Sequence, residues 1–206
     1  MRDGDVSVVA LSAGLRQPSS TRMLADRLGQ ATLSALDAHG VTATAETVEV
    51  REIAHDVVNA MLTGFPAGGL PEALEKVTHA SGLIAVTPVF GTSYSGLFKS
   101  FMDVLEPDSL TGMPVLLGAT GGTPRHSLAL DYAMRPLFAY LHADAVSTTV
   151  FAATDDWAGD GDTENPLPER IERAGRELAE RIMRTDRTGP ADLYDDVPSL
   201  DQMLRP

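Results

Sequence analysis

Apolar residues fall in short runs that alternate with segments of helical spacing. Val6 to Leu11 is an apolar run ending in small residues, and Leu24, Leu28 and Leu36 follow at helical intervals, which reads as strand, loop, helix. The rhythm repeats. Thr47 to Val50 reads as a second strand, Pro71 to His79 as a helix, Leu83 to Val86 as a third strand and Gly96 to Leu105 as a helix. Val115 to Leu117, the helix Leu128 to Leu141, Val146 to Phe151 and a last helix Pro168 to Arg184 complete the pattern. Strands that are apolar on both faces and alternate with helices imply a parallel sheet covered on both sides.

Five such strands predict an α/β, flavodoxin-like three-layer sandwich, its five-stranded parallel sheet in the order 2-1-3-4-5. The sheet then reverses direction between strands one and three, and their C-terminal loops open a crevice for a ligand. Two helices carry more apolar surface than one sheet face can cover. The segment 96–105 has Leu97, Phe101 and Leu105 on one side and Phe98 and Met102 on another, and 128–141 is apolar all round. A homodimer or homotetramer through these helices is expected. Pro136 inside the second of them removes an amide and clashes with the carbonyl of Tyr132, which predicts a kink or a wide turn.

The chain has 206 residues and 43% apolar content, enough for one domain over 1–184, with a polar tail over 185–206. That tail ends SLDQMLRP, where Ser199 and Gln202 have capping-box spacing and Leu200, Met203 and Leu204 share a face; a short docking helix and a frayed end are both compatible. Without cysteine there is no disulfide framework, thiolate metal site or catalytic thiol. The N-terminus lacks the pattern of a secretory signal, and no apolar run approaches the roughly 20 residues that cross a bilayer, so a cytoplasmic place with no membrane contact is expected. A net charge of −13 opposes nucleic-acid binding, so an anionic ligand needs a local site.

Three loops carry candidate chemistry. Ser12 to Arg22 lies between the first strand and helix, where unpaired amides and the helix dipole attract a phosphate. Gly14 allows close approach there, Arg16 adds charge, and Ser19, Ser20 and Thr21 add hydroxyls; an ordinary capped helix start accounts for the same residues equally well. The absence of G-x-G-x-x-G argues for a mononucleotide rather than a dinucleotide. Thr87 to Gly96 combines Phe90 with small residues and backbone amides suited to a flat heteroaromatic ring. Its glycine spacing is that of a P-loop, but Leu97 replaces the lysine, and Gly91 to Ser95 lacks the last glycine of a nucleophile elbow. Ala119 to His126 brings paired glycines to the other side of the crevice, with Arg125 and His126 as candidates to meet an anionic second substrate. No metal site is read: the other histidines lack ligand spacing, and the acidic run Asp155 to Glu164 reads as a solvated loop rather than a calcium loop.

The stretches TPVFGTSYSGLFKSFMDVL, ATGGTPRHSLALDYAMRPLFAYLHA and VFAATDD resemble the NAD(P)H-dependent FMN reductases of the flavodoxin-like superfamily. The likeness runs from about Val6 to Trp157 and is closest to reductases of two-component monooxygenase systems. It implies FMN as cofactor or substrate and NADPH as hydride donor, with no catalytic side chain because flavin N5 carries the chemistry. By the same resemblance Gly14, Arg16, Ser19, Thr21 and Arg22 surround the phosphate, Pro88, Val89, Phe90, Gly91 and Ser93 contact the isoalloxazine, and Thr120, Gly121 and Gly122 follow its far edge. Ser12, Ser20 and Thr92, in the same loops, complete the cofactor-binding candidates. Ala13 and Gly14 stand where the family commonly has glycine and serine, which shifts the phosphate grip toward backbone; Phe90 replaces a frequent tyrosine. Reduced FMN can then feed a flavin-dependent monooxygenase, or bound FMN can pass electrons to a quinone, azo compound or oxyanion. A flavodoxin-like electron carrier and a flavin sensor using the tail as an arm are the alternatives.

Overall fold

The computed structural model describes residues 6–158, 161–187 and 189–190. β1 (Val6–Ser12), β2 (Ala43–Glu49), β3 (Gly82–Phe90) and β5 (Pro114–Gly121) form the parallel centre of a sheet in the order β2-β1-β3-β5. Alternate residues of each strand feed opposite cores. Val9, Leu11 and Ala13 join one with α2 (Ala54–Thr63), α3 (Leu70–His79), α4 (Gly96–Asp103) and α5 (Arg135–Tyr140). Val6, Val8 and Ala10 join the other with α1 (Ser20–Ala38) and α7 (Leu167–Arg184). Helix, sheet and helix thus make the three layers expected of doubly apolar strands. α1 and α7 approach closely at Gly175, where a Cβ would stand 2.8 Å from the Ala31 carbonyl carbon.

The sheet has seven strands, not five. β4 (Ser93–Tyr94) is an antiparallel extension of β3, and the expected fifth strand, Val146 to Phe151, is broken into β6 (Asp144–Ala145) and β7 (Val150–Ala153). Both pair with β5, yet Pro114 faces Asp144 while Gly118 faces Val150, so two extra residues bulge between them. Side chains take over the ladder there. Arg135 donates to the carbonyls of Val146 and Ser147 at 3.1 Å each, and Glu177 accepts from the Thr148 amide at 2.9 Å. Such long-range partners leave no periodic signal in the chain.

The helices also depart from expectation. α2 went unread because Val58, Met61 and Leu62 are exposed beside buried Val57 and Ala60, which blurs the periodicity. This helix packs on α4, so Phe98, Phe101 and Met102 are all buried within one chain. Covering these three side chains therefore takes no second subunit, while Leu97 on the same helix stays half-buried. The segment before Pro136 is a π-helix, Leu130–Met134, in which the Arg135 amide reaches the Leu130 carbonyl. This is the predicted wide turn, made where proline cannot supply an amide. The acidic run is not wholly a solvated loop either: Thr154–Ala158 forms α6, and Asp156 pairs with Arg170 and accepts from the Ala153 amide at 2.8 Å. Arg187 donates to the carbonyls of Thr78 and Thr111 beneath the N-terminal edge of the sheet, and burial lowers its pKa. The motif SLDQMLRP lies outside the described residues, among which no helix is long and apolar enough to cross a membrane.

Candidate functional site

β1, β3 and β5 are adjacent and parallel, so the loops that follow them emerge side by side at one edge of the sheet. Ser12 lies beside Val86 and Thr120 beside Pro88. Sequence position alone separates these loops by tens of residues; the crossovers bring them together.

In the first loop the Ala13 amide donates to the Val86 carbonyl at 3.0 Å, extending the ladder of β1 by one residue. The chain then turns at Gly14, where a Cβ would stand 2.1 Å from Ser19 Oγ. Only glycine fits that contact as it stands. Ser19 Oγ caps α1 by accepting from the Arg22 amide at 3.1 Å. The amides of Ser20 and Thr21, in the same first turn, meet no acceptor among the described residues. Ser12 Oγ is fully buried at the entrance to this loop and has no hydrogen-bond partner among the described residues. A buried hydroxyl left unpaired costs roughly 1–3 kcal/mol, which is tolerated where a ligand or water completes it. Arg16 is exposed with no carboxylate partner among the described residues. Free amides, an orphan hydroxyl and an unpaired cation suit a phosphate.

Two residues assigned to that phosphate by sequence are committed elsewhere. Arg22 binds Asp26 at 2.7 Å and Glu49 at 2.6 Å. The hydrogen bond to Asp26 is the main cause of its raised pKa, with Glu49 adding to it. Its charge is largely answered before any anion arrives. Thr21 turns its hydroxyl to Thr120, 2.8 Å away and buried.

The second loop is a β-hairpin. Val89 faces Tyr94 and Phe90 faces Ser93, leaving Gly91 and Thr92 as a two-residue turn with φ of 54° and 70°. Both left-handed values define the turn type that suits the twist of paired strands. Thr87 pins its base, accepting from the Ser95 amide at 3.0 Å and donating to the Pro88 carbonyl, while Ser95 Oγ caps α4 at the Phe98 amide. Phe90 is 51% exposed and Pro88 and Val89 are half-buried, so the hairpin presents an apolar shelf.

In the third loop the two glycines have different work. A Cβ at Gly121 would stand 2.8 Å from Cζ of Phe151, so this glycine serves packing, whereas Gly122 faces open space. Of the two, Gly122 alone has open space beside it. Thr123 Oγ1 accepts from the Arg125 amide at 3.1 Å, starting the turn Pro124–His126, in which Arg125 is exposed and His126 half-buried. Two concavities among the described residues, one between α1 and β2 and one between α1 and α7, are lined by none of these loop residues.

Comparison with known proteins gives this shelf a setting. The family model for NADPH-dependent FMN reductase matches residues 6–158. The NADH-dependent FMN reductase SfnF of Pseudomonas fluorescens (strain Pf0-1) is 35% identical over 174 residues, spanning 84% of this chain and 90% of that protein. The FMN reductase (NADPH) of Pseudomonas aeruginosa is 33% identical over 172 residues, with the same shares of 84% and 90%. The X-ray structure of an oxidoreductase from Corynebacterium diphtheriae superposes with a TM-score of 0.83 at 44% identity, covering 88% of this chain and 98% of that one.

Proposed function

The chain belongs to the NADPH-dependent FMN reductase family, and from that premise we propose that it passes a hydride from a nicotinamide dinucleotide to FMN held on the shelf at the ends of β1, β3 and β5. The observation that carries this reading is the convergence of uncapped α1 amides, an apolar hairpin and a glycine-opened third loop at one sheet edge.

In this reading the amides of Ser20 and Thr21, with Arg16, hold the phosphate at the positive end of the α1 dipole. Gly14 and Ser19 shape the turn that aims them, and Ser12 lies at its entrance. Pro88 to Ser93 lie along the isoalloxazine, Gly122 presents backbone at its other edge, and Arg125 and His126 face the anionic donor NADPH. Arg16 and Arg125 are local cations on a chain of net charge −13, which concentrates anion affinity where it is needed. The bound flavin supplies hydride acceptance at N5. The protein positions both partners and excludes water, and no side-chain acid or base is required.

The same proposal covers assembly and fate. Leu128, Tyr132 and Tyr140 are 58%, 79% and 80% exposed at multiples of four residues, an apolar stripe that a second copy of the chain covers in a homo-oligomer. Residues 1–184 act as the reductase domain. A nicotinamide donor suits a reaction in the cytoplasm, where reduced FMN leaves for a flavin-dependent monooxygenase. The test is anaerobic single turnover with NADPH and with NADH, followed by dialysis. Hydride transfer with reduced flavin appearing in the dialysate is expected. Protein that neither binds nor reduces FMN refutes the reading, and retention of all reduced flavin refutes its release to a partner.

A further inference from the structure

The resemblance implies Thr120 along the edge of the flavin ring; in the fold its side chain is buried against Thr21. On β5, Leu116 joins the core beneath α1 and α7, and strand alternation puts Thr120 on that same inner side. It is 4% exposed, and its hydroxyl lies 2.8 Å from that of Thr21, itself 3% exposed. A side chain so placed has its polar atom engaged under the helix, not offered to a ring on the open shelf. Thr21 is the second residue of α1 and carries one of the two uncapped amides. The Thr21–Thr120 bond joins residues 99 apart in sequence. It ties the first turn of α1 to β5 and so fixes where those amides point.

We propose that Thr120 is a positioning residue for the flavin phosphate, acting through Thr21 on the first turn of α1. This rests on the FMN-reductase reading above. A bond in a buried setting holds the amides in place before the anion arrives, so less ordering remains to be done on binding.

The two placements of Thr120 separate when FMN is compared with riboflavin, which has the ring but no phosphate. Fluorescence-quenching titrations of flavin-free protein measure both affinities, and steady-state turnover adds kcat. Thr120→Val is expected to raise the Kd for FMN about three- to tenfold, the worth of one net hydrogen bond, with the Kd for riboflavin and kcat at saturating FMN unchanged. Thr120→Ser restores FMN binding, and Thr21→Val/Thr120→Val is no worse than Thr21→Val because both remove one bond. If Thr120→Val does not fold, Thr120→Ala carries the same comparison. Equal weakening of FMN and riboflavin, or no change in either, overturns the inference while leaving the function standing. Wild-type protein that binds neither flavin overturns the function, and this inference with it.

Discussion

The two ends of the shelf that we assign to the phosphate and to the ring are built to different standards. At the first, Gly14 is packed on Ser19, Ser19 caps α1, Thr21 is bonded to Thr120 and Arg22 is held by two carboxylates. These four are braced from within one chain. At the second, Phe90 is 51% exposed, and Gly91 and Gly122 face open space. The difference teaches which part of the ligand a single chain can preorganise. A phosphate is met by amides and charges that a helix start supplies locally, whereas a flat ring needs surfaces on both sides, and one sheet edge offers one.

That contrast can be broken at either end. Gly14→Val should have the largest effect, because its side chain must displace the Ser19 cap and the turn with it. Loss of the cap alone costs about 1 kcal/mol, and FMN affinity measured by fluorescence is expected to fall more than tenfold. Next, Tyr132→Glu with Tyr140→Glu places charge on the exposed stripe. Sedimentation velocity should then shift from an oligomer to a monomer, with turnover falling while phosphate-end affinity stays; a monomer in the unmodified protein would refute the covered ring end.

Arg16→Ala removes the unpaired cation of the loop. A charge-assisted hydrogen bond is worth roughly 1.5–3 kcal/mol, and at the exposed Arg16 the lower end applies, so the KM for FMN should rise about tenfold while that for riboflavin holds. Arg22→Ala should do least. Its partners already satisfy it at a half-exposed site, so FMN affinity is expected to stay within about twofold and stability to drop by at most about 1 kcal/mol, read by thermal unfolding. A loss at Arg22 as large as at Arg16 would mean that the phosphate captures Arg22 from Asp26 and Glu49.

The chain itself determined the layers, the order of the main strands and the three loops at their ends. Runs such as Val6 to Leu11 and Val115 to Leu117 are apolar on both faces because each strand has helices on both sides, and that burial is written residue by residue. The wide turn at Pro136 was equally legible, since a missing amide is a property of the residue. Tertiary structure alone decided the partners. Nothing local announces that Arg135 and Glu177 bond to the break in the fifth strand, that α2 packs on α4, or that Arg22 pairs with Glu49. The same holds for Thr21 and Thr120: a hydroxyl has the same chemistry toward a ligand as toward another hydroxyl, and only the crossover that brings β5 beneath α1 selects between them.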